Sequence, residues 1–366
     1  MKILWLNWKD RSHPRAGGAE VVNEELAKRL IADGHEVTFV VAQFPGARTE
    51  EERDGFRIIR VGGRYSVYWD AYRLYKKHFQ GWPDLVIDEM NTIPFFARFY
   101  VREKSVMFVH QLCREIWFYQ MSFPLSLIGY LLEPLYLRLL SRSEVITVSE
   151  STKNDLMRFG FDQAKIHIIS EGIDIKTLME LAPKNLDQPM ILTLGRCDPM
   201  KRTVDAIRAF ELVKEKIPDA RLVIAGLCDG DYGEKVRSMR EVSHHRDAIT
   251  ITGSITQEQK ISLLQEAAVL VSTSVKEGWG LVVTEANSQG TPAVVYDVDG
   301  LRDSVKNGKT GRVVAENSPE ALATAMSGLL GDHALYERLR TGGWHWSKEV
   351  TFGKGYREFL TILNHA

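Results

Sequence analysis

Short apolar runs alternate with amphipathic stretches along the first half of the chain. Between apolar runs at 2–6 and 36–41, residues 17–31 place Val22, Leu26 and Leu30 at helical spacing, which predicts a helix between two strands. Further apolar runs predict strands at 57–61, 85–88, 105–109, 145–148 and 166–169. Strands that alternate with helices are typical of a parallel sheet covered on both faces, so the first half is predicted to be an α/β domain.

The same pattern restarts in the second half. Apolar runs predict strands at 190–194, 221–225, 249–252, 268–271 and 293–296, with helices between them. The intervening residues 171–188 contain Pro183, several charges and no strong strand pattern. A chain of 366 residues also exceeds the size at which one hydrophobic core usually stops growing. We therefore predict two Rossmann-like parallel-sheet domains, at 1–183 and 184–352, with an aromatic C-terminal helix at 353–366 that packs back onto the first.

Composition and charge argue against nucleic-acid binding, a disulfide framework and secretion. Hydrophobic residues make up 44% of the chain and charged residues 26%, and the net charge of −1 creates no field that would gather nucleic acid, so no nucleic-acid partner is expected. Cys113, Cys197 and Cys228 are too scattered for a disulfide framework or a metal site, which favours a reducing compartment. Lys9 and its charged neighbours cut the opening apolar run short, so this run predicts a strand rather than a signal peptide, and a cytoplasmic location is expected.

Residues 123–140 form the most apolar stretch of the chain. A membrane-spanning helix needs about 20 predominantly apolar residues. Pro124, Glu133, Pro134 and Arg138 interrupt this stretch, so it is not expected to span a bilayer. It predicts a buried or groove-lining helix, and peripheral contact with the inner face of a membrane is the alternative.

Residues 275–286, with the sequence VKEGWGLVVTEA, carry the clearest candidate chemistry. Glu277 precedes a predicted helix and Glu285 lies one turn inside it. The glycines on either side of Trp279 let a ligand approach the backbone closely. The free N–H groups of the first helical turn, near Gly280, Leu281 and Val282, suit phosphate oxygens and hydroxyls. The alternative is that the two carboxylates stabilise the helix N-terminus electrostatically.

The segment EGWGLVVTE, from Glu277 to Glu285, resembles the glutamate–seven residues–glutamate motif of the retaining glycosyltransferases of family 4, which have the GT-B fold. Gly195, Arg196 and Lys201 match that family's G-R-x-x-x-x-K element, and Gly17-Gly18 matches its early glycine pair. Residues 148–151 and 172–174 match the segments that close the first domain, and Trp346 lies in a stretch that resembles the tryptophan-bearing C-terminal element. The resemblance thus covers nearly the whole chain.

This resemblance implies two domains that face a central cleft and bind a nucleoside diphosphate sugar, whose hexose-type sugar is transferred to a hydroxyl acceptor with retention of configuration. Arg196 and Lys201 would hold the diphosphate, where cations favour a leaving group that gains negative charge in the transition state. Glu277 would orient the sugar, Glu285 would bind the ribose, and His110 would contact the reacting sugar. Further donor contacts are implied for Gly17, Gly18, Trp279, Gly280, Leu281 and Val282. The alternative for Arg196 and Lys201 is that both are solvated surface cations.

No metal or other cofactor is expected, because members of the family neutralise the diphosphate with basic residues and helix termini. Two pairs of acids, Asp229/Asp231 and Asp297/Asp299, have the D-x-D spacing of a metal motif. The second pair follows a predicted strand and leads into Gly300, so turn formation explains it.

Two residues depart from the family pattern. Glu171 stands where the family usually has Asn, and Arg202 replaces a common Gly after the phosphate-binding lysine. On the acceptor side, Trp117, Phe118 and Tyr119 follow His110 closely and could line a groove for a lipid-linked or aromatic substrate; the alternative is that they belong to the core.

Other functions remain open at this point. A sugar-nucleotide epimerase or hydrolase would share the GT-B fold, and a non-catalytic sugar-nucleotide binding protein would be expected to have lost a glutamate, Arg196 or Lys201. A nicotinamide-linked oxidoreductase would need G-x-G-x-x-G after its first strand, which the chain does not carry.

Overall fold

The computed structural model describes residues 1–365, which divide into two compact α/β units. Unit 1 comprises Met1–Gly172 together with the C-terminal segment that begins at Phe352, and unit 2 comprises Ile173–Thr351. Each unit contains one predominantly parallel sheet with buried strands. The prediction of two Rossmann-like parallel-sheet domains is therefore confirmed.

Unit 1 contains eight strands and five helices ahead of its C-terminal segment. The strands are β1 (Lys2–Leu6), β2 (Glu36–Ala42), β3 (Glu50–Arg53), β4 (Phe56–Val61), β5 (Leu85–Met90), β6 (Lys104–Val109), β7 (Glu144–Thr147) and β8 (Ile166–Ile168). The helices are α1 (Gly18–Ala32), α2 (Val67–Leu74), α3 (Trp117–Gln120), α4 (Leu125–Leu140) and α5 (Glu150–Arg158). The sheet order is β3-β4-β2-β1-β5-β6-β7-β8, so the strand order reverses between β1 and β5.

Strand β3 was not predicted. Its sequence, EEER, has no apolar residue, because it pairs antiparallel with β4 at the edge of an otherwise parallel sheet. An edge strand has a neighbour on one side and needs little apolar surface, and charged residues there discourage pairing with other chains.

Unit 2 contains six parallel strands and seven helices. The strands are β9 (Met190–Leu194), β10 (Arg221–Ala225), β11 (Ile249–Gly253), β12 (Val269–Ser272), β13 (Ala293–Val295) and β14 (Gly311–Val313). The helices are α6 (Thr203–Lys214), α7 (Gly230–Val242), α8 (Gln257–Glu266), α9 (Leu281–Ser288), α10 (Leu301–Ser304), α11 (Pro319–Leu330) and α12 (His333–Glu349). The sheet order is β11-β10-β9-β12-β13-β14, and it reverses between β9 and β12. In doubly wound sheets, ligands bind at the carboxyl ends of the strands where the order reverses.

The division between the units falls at Gly172, ahead of the predicted boundary at 183. The segment after Gly172 has no strand pattern, but it is hydrogen-bonded to unit 2 in several places. The Leu178 N–H donates to the Ser288 carbonyl at 3.1 Å, and the Gln289 side chain donates to the Lys176 carbonyl at 2.9 Å. These contacts join two segments more than a hundred residues apart, which local patterning does not reveal.

The C-terminal helix α13 (Phe352–His365) belongs to unit 1. Phe359 is fully buried and stacks on Trp5 of β1, with ring centroids 5.8 Å apart. The Tyr356 hydroxyl donates to the Asp33 carboxylate at 2.7 Å. A side chain at Gly172 would collide with the backbone of Phe352, so this glycine permits the close passage of the two chain segments.

Helix α4 differs from the prediction of a buried helix. Its inward face carries Ser126, Gly129 and the fully buried Glu133, followed by the buried side chains of Tyr136, Leu137 and Leu140. Its outward face exposes Leu125, Leu127, Ile128, Leu131, Leu132, Leu135 and Leu139. Within residues 1–365, no helix has both the length and the hydropathy needed to cross a membrane.

Candidate active site

The candidate donor site lies at the carboxyl edge of the unit 2 sheet, on the loops that follow β9 and β12. These two loops are joined by hydrogen bonds. The Thr273 hydroxyl donates to the Lys201 carbonyl at 2.7 Å, and the Val275 N–H donates to the Met200 carbonyl at 2.8 Å. Residues far apart in the sequence are therefore held together at the point where the strand order reverses.

Lys201 and Glu277 meet at this point. The Lys201 ammonium lies 2.5 Å from Glu277 Oε1, and the Ser274 hydroxyl donates to the same oxygen at 2.5 Å. The Lys201 side chain remains 38% exposed and the Glu277 side chain 18% exposed, so the pair borders solvent. A partly exposed, charge-assisted cluster of this kind can bind both anionic and hydroxyl groups.

The backbone of Glu277 is fixed by the loop that follows β13. The Glu277 N–H donates to the Asp299 carbonyl at 3.0 Å. At Gly300 the φ angle is +77°, and a side chain there would collide with the Glu277 carbonyl. The loop after β13 therefore positions Glu277 through close backbone contact, which only glycine permits here.

The D-x-D pair at Asp297 and Asp299 lies on the same loop and is neutralised by cations. Arg302 donates to Asp297 at 2.7 Å and to Asp299 at 2.5 Å, and the buried Lys276 ammonium lies 2.9 Å from Asp299. Both carboxylates therefore have a structural role in holding the loop beside Glu277.

Helix α9 begins directly after the segment Gly278-Trp279-Gly280. Gly280 has a φ angle of +91°, and Leu281 is the first helical residue, followed by Val282. The indole of Trp279 donates to the Thr284 hydroxyl at 3.0 Å, which folds this side chain back against the helix. The N–H groups at the start of α9 are thus close to Glu277, as the sequence predicts.

Glu285 is buried on α9 and accepts a hydrogen bond from the Lys260 ammonium of α8 at 2.8 Å. Burial raises the pKa of the Glu285 carboxyl, and the charge and hydrogen bond of Lys260 counteract this effect. Sequence reasoning did not identify Lys260, because the residue carries no motif of its own and reaches Glu285 from a neighbouring helix.

Arg196 and Lys201 line the same small pocket at the end of β9. Arg202, the departure from the family pattern, has a φ angle of +49°, the left-handed conformation in which glycine is usual. Its guanidinium lies 3.5 Å from the Asp205 carboxylate and 5.8 Å from the Tyr296 ring centroid. The extra positive charge is therefore held by local partners.

Cys197, next to Arg196, is bonded to Cys228 in a disulfide. The scattered cysteines were not expected to form a disulfide framework, and this pair departs from that expectation. They are 31 positions apart in sequence, but they follow the neighbouring parallel strands β9 and β10, which brings their Cα atoms within 4.6 Å. The third cysteine, Cys113, is buried in unit 1.

Gly17 and Gly18 lie at the start of α1 in unit 1, and both are exposed. The Gly17 N–H donates to the buried Glu20 carboxylate at 2.6 Å, and the other oxygen of Glu20 lies 3.2 Å from the Lys9 ammonium. The Gly17 N–H group, which the resemblance assigns to the donor phosphates, is thus bonded to a side chain of its own helix.

His110 lies directly after β6, at the carboxyl edge of the unit 1 sheet, and two carboxylates flank its ring. Nδ1 lies 2.9 Å from Glu171 Oε1, and Nε2 lies 3.6 Å from Glu89 Oε1. Glu171 was noted in the sequence as a departure from the family pattern, whereas Glu89 was missed. A signal for Glu89 existed, because two adjacent acids interrupt the apolar run of β5 (LVIDEM).

The three aromatic residues predicted on the acceptor side have different environments. Trp117 is buried, packs against Gly129 and donates its indole N–H to Glu133 at 3.0 Å. Phe118 and Tyr119 are 52% and 40% exposed. Trp117 is therefore part of the core of unit 1, while its two neighbours are accessible to a ligand.

Two family models match successive parts of the chain. A model described as Glycosyltransferase Family 4 matches residues 16–177, and one described as Glycosyl transferases group 1 matches residues 174–346. The D-inositol 3-phosphate glycosyltransferase of Xylanimonas cellulosilytica is 28% identical over 254 residues, which cover 63% of this chain and 60% of that protein. The match thus spans less than two thirds of the relative's length.

Solved structures show the same fold at low identity. Sucrose-phosphate synthase from Thermosynechococcus elongatus superposes with a TM-score of 0.79 at 20% identity, covering 100% of this chain and 98% of that one. Anabaena HepE, solved in complex with UDP-glucose, has a TM-score of 0.75 at 15% identity, and the superposition covers 100% of both chains. These likenesses confirm the predicted GT-B fold. Because two family models together match residues 16–346, the chain belongs to the glycosyltransferases of family 4.

Proposed function

We propose that this chain transfers a hexose-type sugar from a nucleoside diphosphate sugar to a hydroxyl acceptor, with retention of configuration and without a metal ion. The observation that carries the proposal is the cluster of Lys201, Glu277 and Ser274 beside Arg196, at the reversal point of the unit 2 sheet. It combines cations for a diphosphate with a carboxylate for sugar hydroxyls. The bound UDP-glucose of Anabaena HepE, a protein of the same fold, also supports a nucleotide-sugar donor.

In the proposed reaction, the bond between the anomeric carbon and the diphosphate oxygen breaks as the acceptor oxygen attacks the same face of the sugar. The acceptor proton passes to the departing phosphate oxygen. Arg196 and Lys201 stabilise the negative charge that develops on the diphosphate. Glu277 orients the sugar and stabilises positive charge at the anomeric carbon, so it is not assigned as a nucleophile.

In this scheme, the ion pair between Lys201 and Glu277 links donor binding to the alignment of Glu277. In the absence of a donor, each charge neutralises the other at the surface of the loop. A diphosphate then offers Lys201 a more highly charged partner, which frees Glu277 for sugar hydroxyls. Donor binding and the alignment of Glu277 are thus coupled.

The test combines donor screening with product analysis. A thermal-shift screen with UDP-, GDP-, ADP- and CMP-sugars identifies the nucleotide that stabilises the protein, and the purified protein is then incubated with that donor and candidate acceptors. We expect a glycoside with the anomeric configuration of the donor, formed equally well with EDTA. Release of free sugar or of an epimer without any acceptor would favour a hydrolase or epimerase. Activity that is lost with EDTA and restored by Mn²⁺ would contradict metal independence.

We further propose that the outward face of α4 binds the surface of an anionic bilayer, where a lipid-linked acceptor would be available. The exposed leucines of this face continue into the exposed aromatic rings of Phe118, Tyr119 and Phe123 at the N-terminal end of the helix. Arg138 and Arg142 are exposed at the C-terminal end, and the acid of the helix, Glu133, is fully buried. Apolar side chains flanked by cations, with no exposed acid on the helix, suit anionic headgroups.

Replacing Leu131 and Leu135 by serine is expected to reduce co-flotation with vesicles that contain anionic lipid. Both side chains are more than half exposed, so their replacement leaves the core of unit 1 intact. Val242→Ser is a matched control, because it removes an exposed apolar side chain from α7 of unit 2. Failure of the unmodified protein to float with either neutral or anionic vesicles would reject the bilayer, and self-association through α4 would then appear as a dimer by light scattering.

A further inference from the structure

The ring of His110 lies between two buried carboxylates from distant parts of unit 1. Glu171, which follows β8, approaches Nδ1 at 2.9 Å, and Glu89, on β5, approaches Nε2 at 3.6 Å. The face of the ring stacks on Phe108, with centroids 4.4 Å apart. The position and the tilt of the imidazole are therefore both fixed by side chains of the unit 1 core.

The Glu89 carboxylate is held in place by other groups. Glu89 Oε2 accepts hydrogen bonds from the Trp5 indole at 2.9 Å and from the Asn23 amide at 2.6 Å, so Oε1 is the oxygen directed at His110. Glu20 of α1 contributes a further negative charge near the ring. The Lys9 ammonium lies 3.2 Å from the Glu20 carboxylate and partly offsets this charge. The backbone carbonyl of His110 accepts a hydrogen bond from the Thr152 hydroxyl of α5 at 3.0 Å.

This surrounding charge decides how the ring is protonated. A neutral imidazole has one N–H and one lone pair, and a carboxylate beside each nitrogen favours a proton on both. Nδ1–H then donates to Glu171, while Nε2–H is directed at Glu89 Oε1, which lies 3.6 Å away, slightly beyond ordinary hydrogen-bond length. Nε2 itself is buried, while the His110 side chain as a whole is 12% exposed, so a substrate meets the charge of the ring rather than this N–H group.

We propose that Glu171 is a positioning residue that holds His110 in its doubly protonated form, so that the positive charge of the ring can stabilise an oxygen of the transferred sugar. The inference rests on the proposed sugar transfer. It also explains the departure at position 171, because the Asn that is usual in the family could accept the same hydrogen bond but would add no negative charge.

The ionisation behaviour of the group agrees with this assignment. Burial by itself would lower the pKa of His110, but the hydrogen bond and charge of Glu171 and the charges of Glu89 and Glu20 outweigh burial and raise this pKa above its ordinary value. Burial raises the pKa of Glu89 to about 7, and the nearby charge of His110 and the donors on Asn23 and Trp5 counteract that rise. The imidazolium is thus retained to higher pH than in a histidine exposed to water.

The test uses Glu171→Gln, which keeps an oxygen for Nδ1–H and removes the charge. Histidine-labelled protein is titrated by NMR without substrate, and the His110 resonance is assigned from its absence in His110→Gln. In Glu171→Gln we expect His110 to lose its second proton at lower pH than in the unmodified chain. Because one unit of pKa corresponds to about a tenfold change in the protonated fraction, the alkaline limb of kcat/KM for transfer should also move to lower pH.

Two further variants make the result specific. Glu89→Gln removes the second carboxylate and should shift the titration and the alkaline limb in the same direction. Glu144→Gln makes the same change at a second pair in unit 1, where His167 Nε2 lies 3.1 Å from Glu144 at the surface, and should leave the pH profile of transfer unchanged. Circular dichroism verifies that each variant is folded.

The outcomes separate this inference from the proposed function. An unchanged His110 titration in Glu171→Gln overturns the inference, whether or not transfer is observed. A shifted titration accompanied by a loss of activity that is equal at every pH overturns the role of the protonated ring in the reaction. Absence of transfer with every donor contradicts the proposed function instead. The titration without substrate still tests whether the carboxylates around His110 keep its ring protonated.

Discussion

Replacement of Glu277 by alanine is expected to lower kcat of sugar transfer about tenfold or more while the fold stays intact. The carboxylate accepts hydrogen bonds from Lys201 and Ser274 at 2.5 Å and borders solvent at the carboxyl edge of the unit 2 sheet. Its loss removes the group that we propose orients the sugar, and it leaves Lys201 without its carboxylate partner. Arg196→Ala and Lys201→Ala are expected to cause losses of similar size, because each removes a cation from the developing diphosphate charge.

Steady-state kinetics with the donor identified by thermal shift measures these effects. Glu277→Gln separates charge from shape, since its amide oxygen can still accept from Ser274, and it should also be impaired if negative charge is required. Glu234→Ala is a matched control, because Glu234 is an exposed acid of α7 whose carboxylate pairs with Arg237. Near-normal turnover in all three alanine variants of the site would refute the site assignment.

The second large effect is on stability. Glu133→Ala is expected to lower the free energy of unfolding of unit 1 by roughly 3–5 kcal/mol. Glu133 is fully buried and accepts hydrogen bonds from the backbone N–H groups of Cys113 and Arg114 at 2.8 and 2.6 Å and from the Trp117 indole at 3.0 Å. Alanine leaves these donors without their acceptor and creates a cavity under the segment that follows His110.

Urea denaturation followed by circular dichroism measures this loss. Glu115→Ala removes an exposed acid from the same segment and should change the stability little, within about 0.5 kcal/mol. Glu133→Gln keeps one acceptor oxygen and should have an intermediate effect. If Glu133→Ala were as stable as Glu115→Ala, the buried carboxylate would not be what holds this segment.

Many residues of the candidate donor site could be located from the sequence because its motifs are local. The segment from Glu277 to Glu285 is a strand–loop–helix transition, and glycines at defined positions reveal both the bend and the start of α9. Arg196 and Lys201 likewise follow directly after β9. Strands buried on both faces produce continuous apolar runs, which explains why β1, β9 and β10 were predicted with their exact bounds.

Other features were inaccessible because they depend on which distant segments meet. Glu89 reaches His110 from β5 and Glu171 from the segment after β8, and Lys260 reaches Glu285 from a neighbouring helix. Cys197 and Cys228 meet because their strands are adjacent, an arrangement that their spacing does not reveal.

Helix α4 combines a feature that its sequence predicts with one that only its packing decides. Its apolar sequence determined that it is a helix that does not span a membrane, but the direction in which its leucines face depends on what packs against it. Glu133 faces inward with Leu137 and Leu140, where buried N–H groups of the preceding segment require an acceptor, and the other leucines of the helix then face outward. By itself, the sequence determined the two-sheet fold, the family and the motifs of the candidate donor site, since these depend on local periodicity and spacing. The tertiary structure alone decided the unit boundary, the exposed face of α4 and the charges around His110, because each depends on contacts between residues far apart in the chain.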